Sequence, residues 1–133
     1  MSSPKPFRMV DVFGHGPFSG NPVAVVHDAD DLSTEQMQRI SAWTNLSECT
    51  FVLAPTDPAA DYRLRIFCLV RELPFAGHPT LGSARAWLDA GGTPRDAGVV
   101  VQECGVGLVR VRTDDDRLSF AAPPLVRSGP LEP

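Results

Sequence analysis

Cysteine is scarce in this chain, and its number is odd. Cys49, Cys68 and Cys104 stand at scattered positions and make no disulfide framework. A reducing, cytoplasmic setting is the expectation that follows. Basic residues are also few, with 12 Lys and Arg against 16 Asp and Glu and a net charge of -4. That balance argues against nucleic-acid binding, whose footprint is a basic patch or stripe. The longest run of one charge, Asp114-Asp115-Asp116, reads as a solvated turn. No apolar segment is long enough to span a bilayer, so no membrane partner is expected. The opening Met1-Ser2-Ser3-Pro4-Lys5-Pro6 lacks the apolar stretch of a signal peptide. Internal repeats and low-complexity blocks are absent.

Several kinds of chemistry are missing as well. His15, His27 and His78 show no i,i+3 or i,i+4 pairing and no cysteine at zinc spacing, so no metal site is expected. Ser19, Ser47 and Ser83 stand outside any nucleophile-elbow context. Residues 77–83 have the four-residue gap of a phosphate loop but no lysine, which argues against a nucleotide triphosphate. The glycine-rich stretch at 14–20 has the wrong spacing for a dinucleotide loop and is followed by a strand rather than a helix.

What is present suits one domain with a real core: 133 residues, 43% hydrophobic and 21% charged. Thirteen prolines fall mainly at element boundaries and in the tail. Alternation predicts strands over residues 7–13, 23–27, 49–54 and 61–67. In the last of these Tyr62, Leu64 and Ile66 point inward, and Arg63 and Arg65 outward. A first helix runs from Ser33, capped by a box with Gln36, to about Thr44. Leu32 and Met37 form its staple, Asn45 takes its left-handed end, and Met37, Ile40 and Trp43 or Thr44 form its apolar stripe. Further strands are predicted over 98–102, 107–113 and 117–121, the first two joined as a hairpin. The total is about seven strands and two helices, an α+β arrangement.

The centre of the pattern is Glu72-Leu73-Pro74-Phe75-Ala76-Gly77-His78-Pro79-Thr80-Leu81-Gly82. It reads as an extended arm, a glycine step and the start of a second helix over 79–90. Pro79 is predicted at the first helical position, with His78 as N-cap. Leu81, Ala84, Trp87 and Leu88 form this helix's main face, and Gly91-Gly92 stops it. The first-turn N–H groups, expected from Thr80, Leu81 and Gly82, suit a carboxylate or phosphate, and Gly77 lets a ligand approach the backbone. On the local pattern the alternative is a capped structural helix with nothing bound. Glu48 falls between a helix end and an apolar strand. It is either a partly desolvated acid/base group or a strand-edge carboxylate in water. His78 is either a ligand-facing group or a capping histidine bonded to its own helix.

Taken together, Val10-Asp11-Val12-Phe13, Pro17-Phe18-Ser19-Gly20-Asn21-Pro22, Thr44-Asn45-Leu46-Ser47-Glu48, the stretch from Glu72 to Gly82, and the closing Leu118-Ser119-Phe120 resemble the phenazine-biosynthesis isomerase (PhzF-like) family. The resemblance covers nearly the whole chain. It implies a diaminopimelate epimerase-like fold, in which each of two pseudo-symmetric lobes wraps a mostly antiparallel sheet around a central helix. It implies isomerisation of small unsaturated carboxylic acids by moving a proton between carbons, without a cofactor. Glu48 is then the proton carrier, and His78 lines the site. Gly77, Asn21, Ser47 and Pro79 are the implied substrate-binding residues. Residues 1–122 correspond to one lobe, and the proline-rich 123–133 reads as a linker toward a second. The expected partner is a second-lobe chain or a second copy in a homodimer. Ala76 stands near the place where diaminopimelate epimerases carry a cysteine, so two-cysteine racemisation is not expected. Cys68-Leu69-Val70 replaces the family's usual Thr-Pro-Gly-like turn. A non-catalytic carboxylate-binding module and an inactive fragment are the competing readings.

Overall fold

The computed structural model describes residues 6–12, 21–46, 48–114 and 117–120. Eight strands and two helices follow in the order β1 (Phe7–Val12), β2 (Asn21–Val26), α1 (Thr34–Thr44), β3 (Cys49–Leu53), β4 (Tyr62–Phe67), β5 (Glu72–Leu73), α2 (Gly77–Asp89), β6 (Val99–Cys104), β7 (Gly107–Asp114) and β8 (Arg117–Phe120). All strands join one sheet in the order β1-β2-β3-β4-β6-β7-β8, with the two-residue β5 added on β4. The pairings β2–β3 and β4–β6 are parallel, and the other five are antiparallel. Each parallel pairing needs a crossover, and the two helices supply them. The fold is therefore α+β, as the sequence predicts.

The two helices lie against opposite faces of the sheet. Helix α2 packs on β1, β2, β3 and β8, so the sheet curls around it from both ends of the strand order. Its Leu81, Ala84, Trp87 and Leu88 meet Val23, Val25, Val52, Tyr62, Leu64, Ile66, Val100 and Val111. The predicted inward set of β4 is thus the inward set observed. Helix α1 covers the other face, where Met37, with Leu32 and Ile40, packs on Ala24, Val26, Cys49, Phe51 and Phe67. Met37 is fully buried, which stabilises the fold by roughly 1.5–3 kcal/mol. The period of two along β3 is explicit: Cys49 and Phe51 belong to the α1 side, and Val52 to the α2 side.

Helix α1 begins and ends as predicted. Ser33 Oγ accepts from Gln36 N at 3.1 Å, Gln36 Oε1 accepts from Ser33 N at 2.8 Å, and Asn45 closes the helix at φ 58. Trp43 departs from the expected stripe: it is 85% exposed, because it falls on the side of α1 turned away from the sheet. The strand expected over 23–27 starts two residues earlier, where Asn21 pairs with Val12, and stops before His27. The hairpin between β6 and β7 is tighter than predicted, with only Gly105 and Val106 in the turn. The eighth strand is β5, the arm ahead of α2. A bidentate ion pair of Arg65 with Glu72, at 2.8 and 2.7 Å, ties it to β4, and Arg65 also donates to Thr34 Oγ1 at 2.9 Å. The sequence elements read at 13–20 and 121–133 lie outside the described residues.

Candidate active site

The main correction to the sequence reading is the start of α2. The N-cap is Ala76 rather than His78, and the helix runs Gly77–Asp89 rather than 79–90. Thr80 donates its backbone N–H to the Ala76 carbonyl at 3.3 Å, and its hydroxyl donates to the same oxygen at 2.9 Å. Thr80 and the residues after it therefore belong to the helical ladder and are not open donors. Pro79 falls one turn inside the start, where its missing N–H breaks no helical bond. The open end of the backbone is the turn at Gly77, and no side chain caps it at Ala76. This terminus carries the positive end of the helix dipole.

Glu48 immediately precedes β3 and shares the period-two face of Thr50 and Val52, which looks toward α2. His78 projects from the first turn of α2. The two meet: His78 Nδ1 lies 3.1 Å from Glu48 Oε1, with the side chains 15% and 19% exposed respectively. The approach is an ion-pair contact rather than an aligned hydrogen bond, and Glu48 Oε1 is itself shielded from solvent. Residues 30 apart in the chain thus form one half-buried acid–imidazole pair at an uncapped helix terminus.

Of the other residues implied by resemblance, Pro79 is buried in the first turn and Gly77 opens it. Asn21 begins β2 opposite Val12 on the edge strand. Ser47 lies outside the described residues. Among the described residues no three His, Cys, Asp or Glu side chains gather as a metal site.

Behind the pair lies a set of buried polar groups that sequence reasoning did not single out. Thr50 Oγ1 and Ser83 Oγ are 2.8 Å apart, both fully buried. Tyr62 donates its hydroxyl to Gln102 Oε1 at 3.0 Å, and Gln102 Nε2 donates to Thr80 Oγ1 at 3.1 Å. Burial pushes the Tyr62 phenol upward, with Cys104 and Asp61 adding to the effect, so it acts as a donor. The only signal for these groups in the sequence is a polar residue at an inward position: Gln102 two places after Val100, Thr50 two places before Val52, and Ser83 within a helix of small residues.

A separate cavity of about 610 Å³ lies at the other end of α2, lined among others by Arg8, His27, Asp28, Tyr62, Trp87 and Gly92. His27 is buried there. Its burial, then the Arg8 charge, lower its pKa against a smaller opposing effect of Asp28. This cavity is not where Glu48 and His78 meet.

A sheet curled around one helix, with an acid at that helix's N-terminus, defines a lobe of the epimerase-like class. A hydroxyproline epimerase from Agrobacterium vitis shares this fold, with a TM-score of 0.58 over 80% of this chain and 37% of that one, at 17% identity. The chain itself belongs to the PhzC-PhzF family of phenazine biosynthesis-like proteins, whose pattern matches residues 10–122. It is 50% identical over 123 residues to antisense-enhancing sequence 1 of Schizosaccharomyces pombe, covering 88% of this chain and 41% of that protein. It is 58% identical over 80 residues to the trans-2,3-dihydro-3-hydroxyanthranilate isomerase of Pseudomonas aeruginosa, covering 60% and 28% respectively. The PhzF-family crystal structure from Enterococcus faecalis superposes with a TM-score of 0.75 at 28% identity, over 86% of this chain and 42% of that one. The chain spans less than half the length of each of these relatives.

Proposed function

We propose that this lobe carries the proton-moving half of a cofactor-independent isomerase for small unsaturated carboxylic acids. The observation that carries the reading is the 3.1 Å contact of Glu48 with His78 at the uncapped start of α2. Glu48 as carboxylate removes an allylic C–H proton and returns it to another carbon of the same π system, on the same face of the substrate. His78 holds the carboxylate in place. The substrate carboxylate sits at the Gly77 turn, where the helix dipole also stabilises the negative charge that spreads over the dienolate. The relative named for trans-2,3-dihydro-3-hydroxyanthranilate suggests that acid as the first substrate to try. A second lobe, or a second copy of this chain, closes the site over the substrate, and the protein works in the cytoplasm.

The test is solvent deuterium incorporation into that acid, followed by NMR, with this chain alone and mixed with a second-lobe chain from a relative. Wild-type protein is expected to incorporate deuterium in at least one arrangement, and Glu48→Gln in none. Equal incorporation by Glu48→Gln rejects the role given to Glu48. A second reading rests on the chain's spanning under half of its relatives: the lobe binds the acid without moving its protons. Calorimetric binding with no exchange in any arrangement supports it.

A further inference from the structure

Glu48 and His78 lie on different elements, and their separation depends on how far α2 is slid along β3. One buried contact fixes that slide. Thr50 lies two residues after Glu48, about 6.8 Å along an extended chain. Ser83 lies five residues after His78, about 7.5 Å along a helix. The two steps nearly match, so a bond between Thr50 and Ser83 places Glu48 level with His78. That bond is present, with the two hydroxyl oxygens 2.8 Å apart and both residues fully buried. The surroundings supply no alternative partner of the same kind: the neighbours on this face are apolar, among them Val52, Ala84 and Val25. A one-residue slip of the helix would leave two hydroxyls buried without a bond, which strongly disfavours it.

We propose that Thr50 and Ser83 are positioning residues, a buried hydroxyl pair that sets the register of α2 on β3 and thereby the approach of Glu48 to His78. Their importance for turnover rests on the isomerase reading; their effect on the Glu48–His78 pair does not. The conformational claim is tested on the 133-residue chain without substrate, from the ¹⁵N resonance of the His78 Nδ1 atom. Glu48→Gln gives the reference for a lost pair. Thr50→Val, which keeps the shape and removes the hydroxyl, is expected to move the resonance most of the way to that reference, as is Ser83→Ala. Thr50→Ser, which keeps the hydroxyl, is expected to stay at the wild-type position. Ser41→Ala removes a buried hydroxyl that bonds the Cys68 carbonyl from α1, and it is expected to leave the resonance unmoved although it costs stability. In turnover, Thr50→Val is expected to lower kcat about tenfold with KM changed less than twofold. The proposal is overturned if Thr50→Val and Ser83→Ala keep the wild-type resonance, if Ser41→Ala moves it equally, or if Glu48→Gln itself has no effect. Failure of the isomerase reading looks different: no exchange by wild-type protein, with the resonance still responding to Thr50→Val.

Discussion

The chain Tyr62–Gln102–Thr80–Ala76 makes a quantitative prediction. Tyr62 is 1% exposed and Gln102 fully buried. Gln102→Leu takes the acceptor away from the Tyr62 hydroxyl, while Thr80 keeps its bond to the Ala76 carbonyl. One stranded buried hydroxyl costs about 1–3 kcal/mol. Tyr62→Phe strands the Gln102 carbonyl oxygen instead, at a similar cost of about 1–3 kcal/mol. The double variant strands neither group, because both ends of the bond are gone and Leu fills much of the space of Gln. Its cost is expected near that of one single substitution, giving a coupling of about 2 kcal/mol in the double-mutant cycle. Urea unfolding followed by tryptophan fluorescence measures this. Trp87 packs on Tyr62 with ring centroids 5.3 Å apart and reports loss of the core, whereas the exposed Trp43 contributes little change. Each single variant should also lower Tm by several degrees. Costs that add to within about 0.5 kcal/mol would refute the reasoning, since independent sites behave that way.

Two further outcomes follow from local electrostatics. His27 is held neutral in the fold by burial and by Arg8, below its ordinary value of 6.5, so the unfolded chain binds the extra proton first as pH falls. Stability should drop as pH is lowered from about 6.5, and His27→Asn should show a shallower drop in urea unfolding over the same range; identical slopes count against the buried neutral imidazole. Burial pushes the Cys49 thiol up to about 12. Burial also acts to raise Cys68, but the Val70 and Arg71 backbone N–H groups and the Arg71 charge outweigh it and lower that thiol. Iodoacetamide near neutral pH should alkylate Cys68 first and Cys49 only after unfolding, which peptide mass spectrometry reads directly.

Local chemistry made much of the fold legible in the sequence. The Ser33–Gln36 box and Asn45 placed α1 to the residue, and the alternation of Tyr62, Leu64 and Ile66 gave the inward face of β4. The start of α2 was misread because Pro79 is acceptable anywhere in a first turn, so proline alone does not fix which residue is the cap. Trp43 misled because periodicity over three turns leaves the last apolar residue undetermined until the sheet is in place. At the site, Glu48 and His78 were separately visible as candidates, but their 3.1 Å contact depends on the crossing of two distant elements. The buried pairs behind them carry no local pattern at all. A polar residue in an inward position becomes interpretable only once its partner, 22 to 40 residues away, is known.

Helix α2 touches strands from both extremes of the sheet, β1 and β8. During synthesis the helix leaves the ribosome with its first neighbours already made and its last one still to come. Until residues 117–120 emerge, the flank that Leu118 will cover stays wet, and a stalled nascent chain of that length presents sticky surface to chaperones. Vectorial assembly thus ends with the closing of the wrap, and the positive end of the helix acquires its low-dielectric surroundings only in that final step.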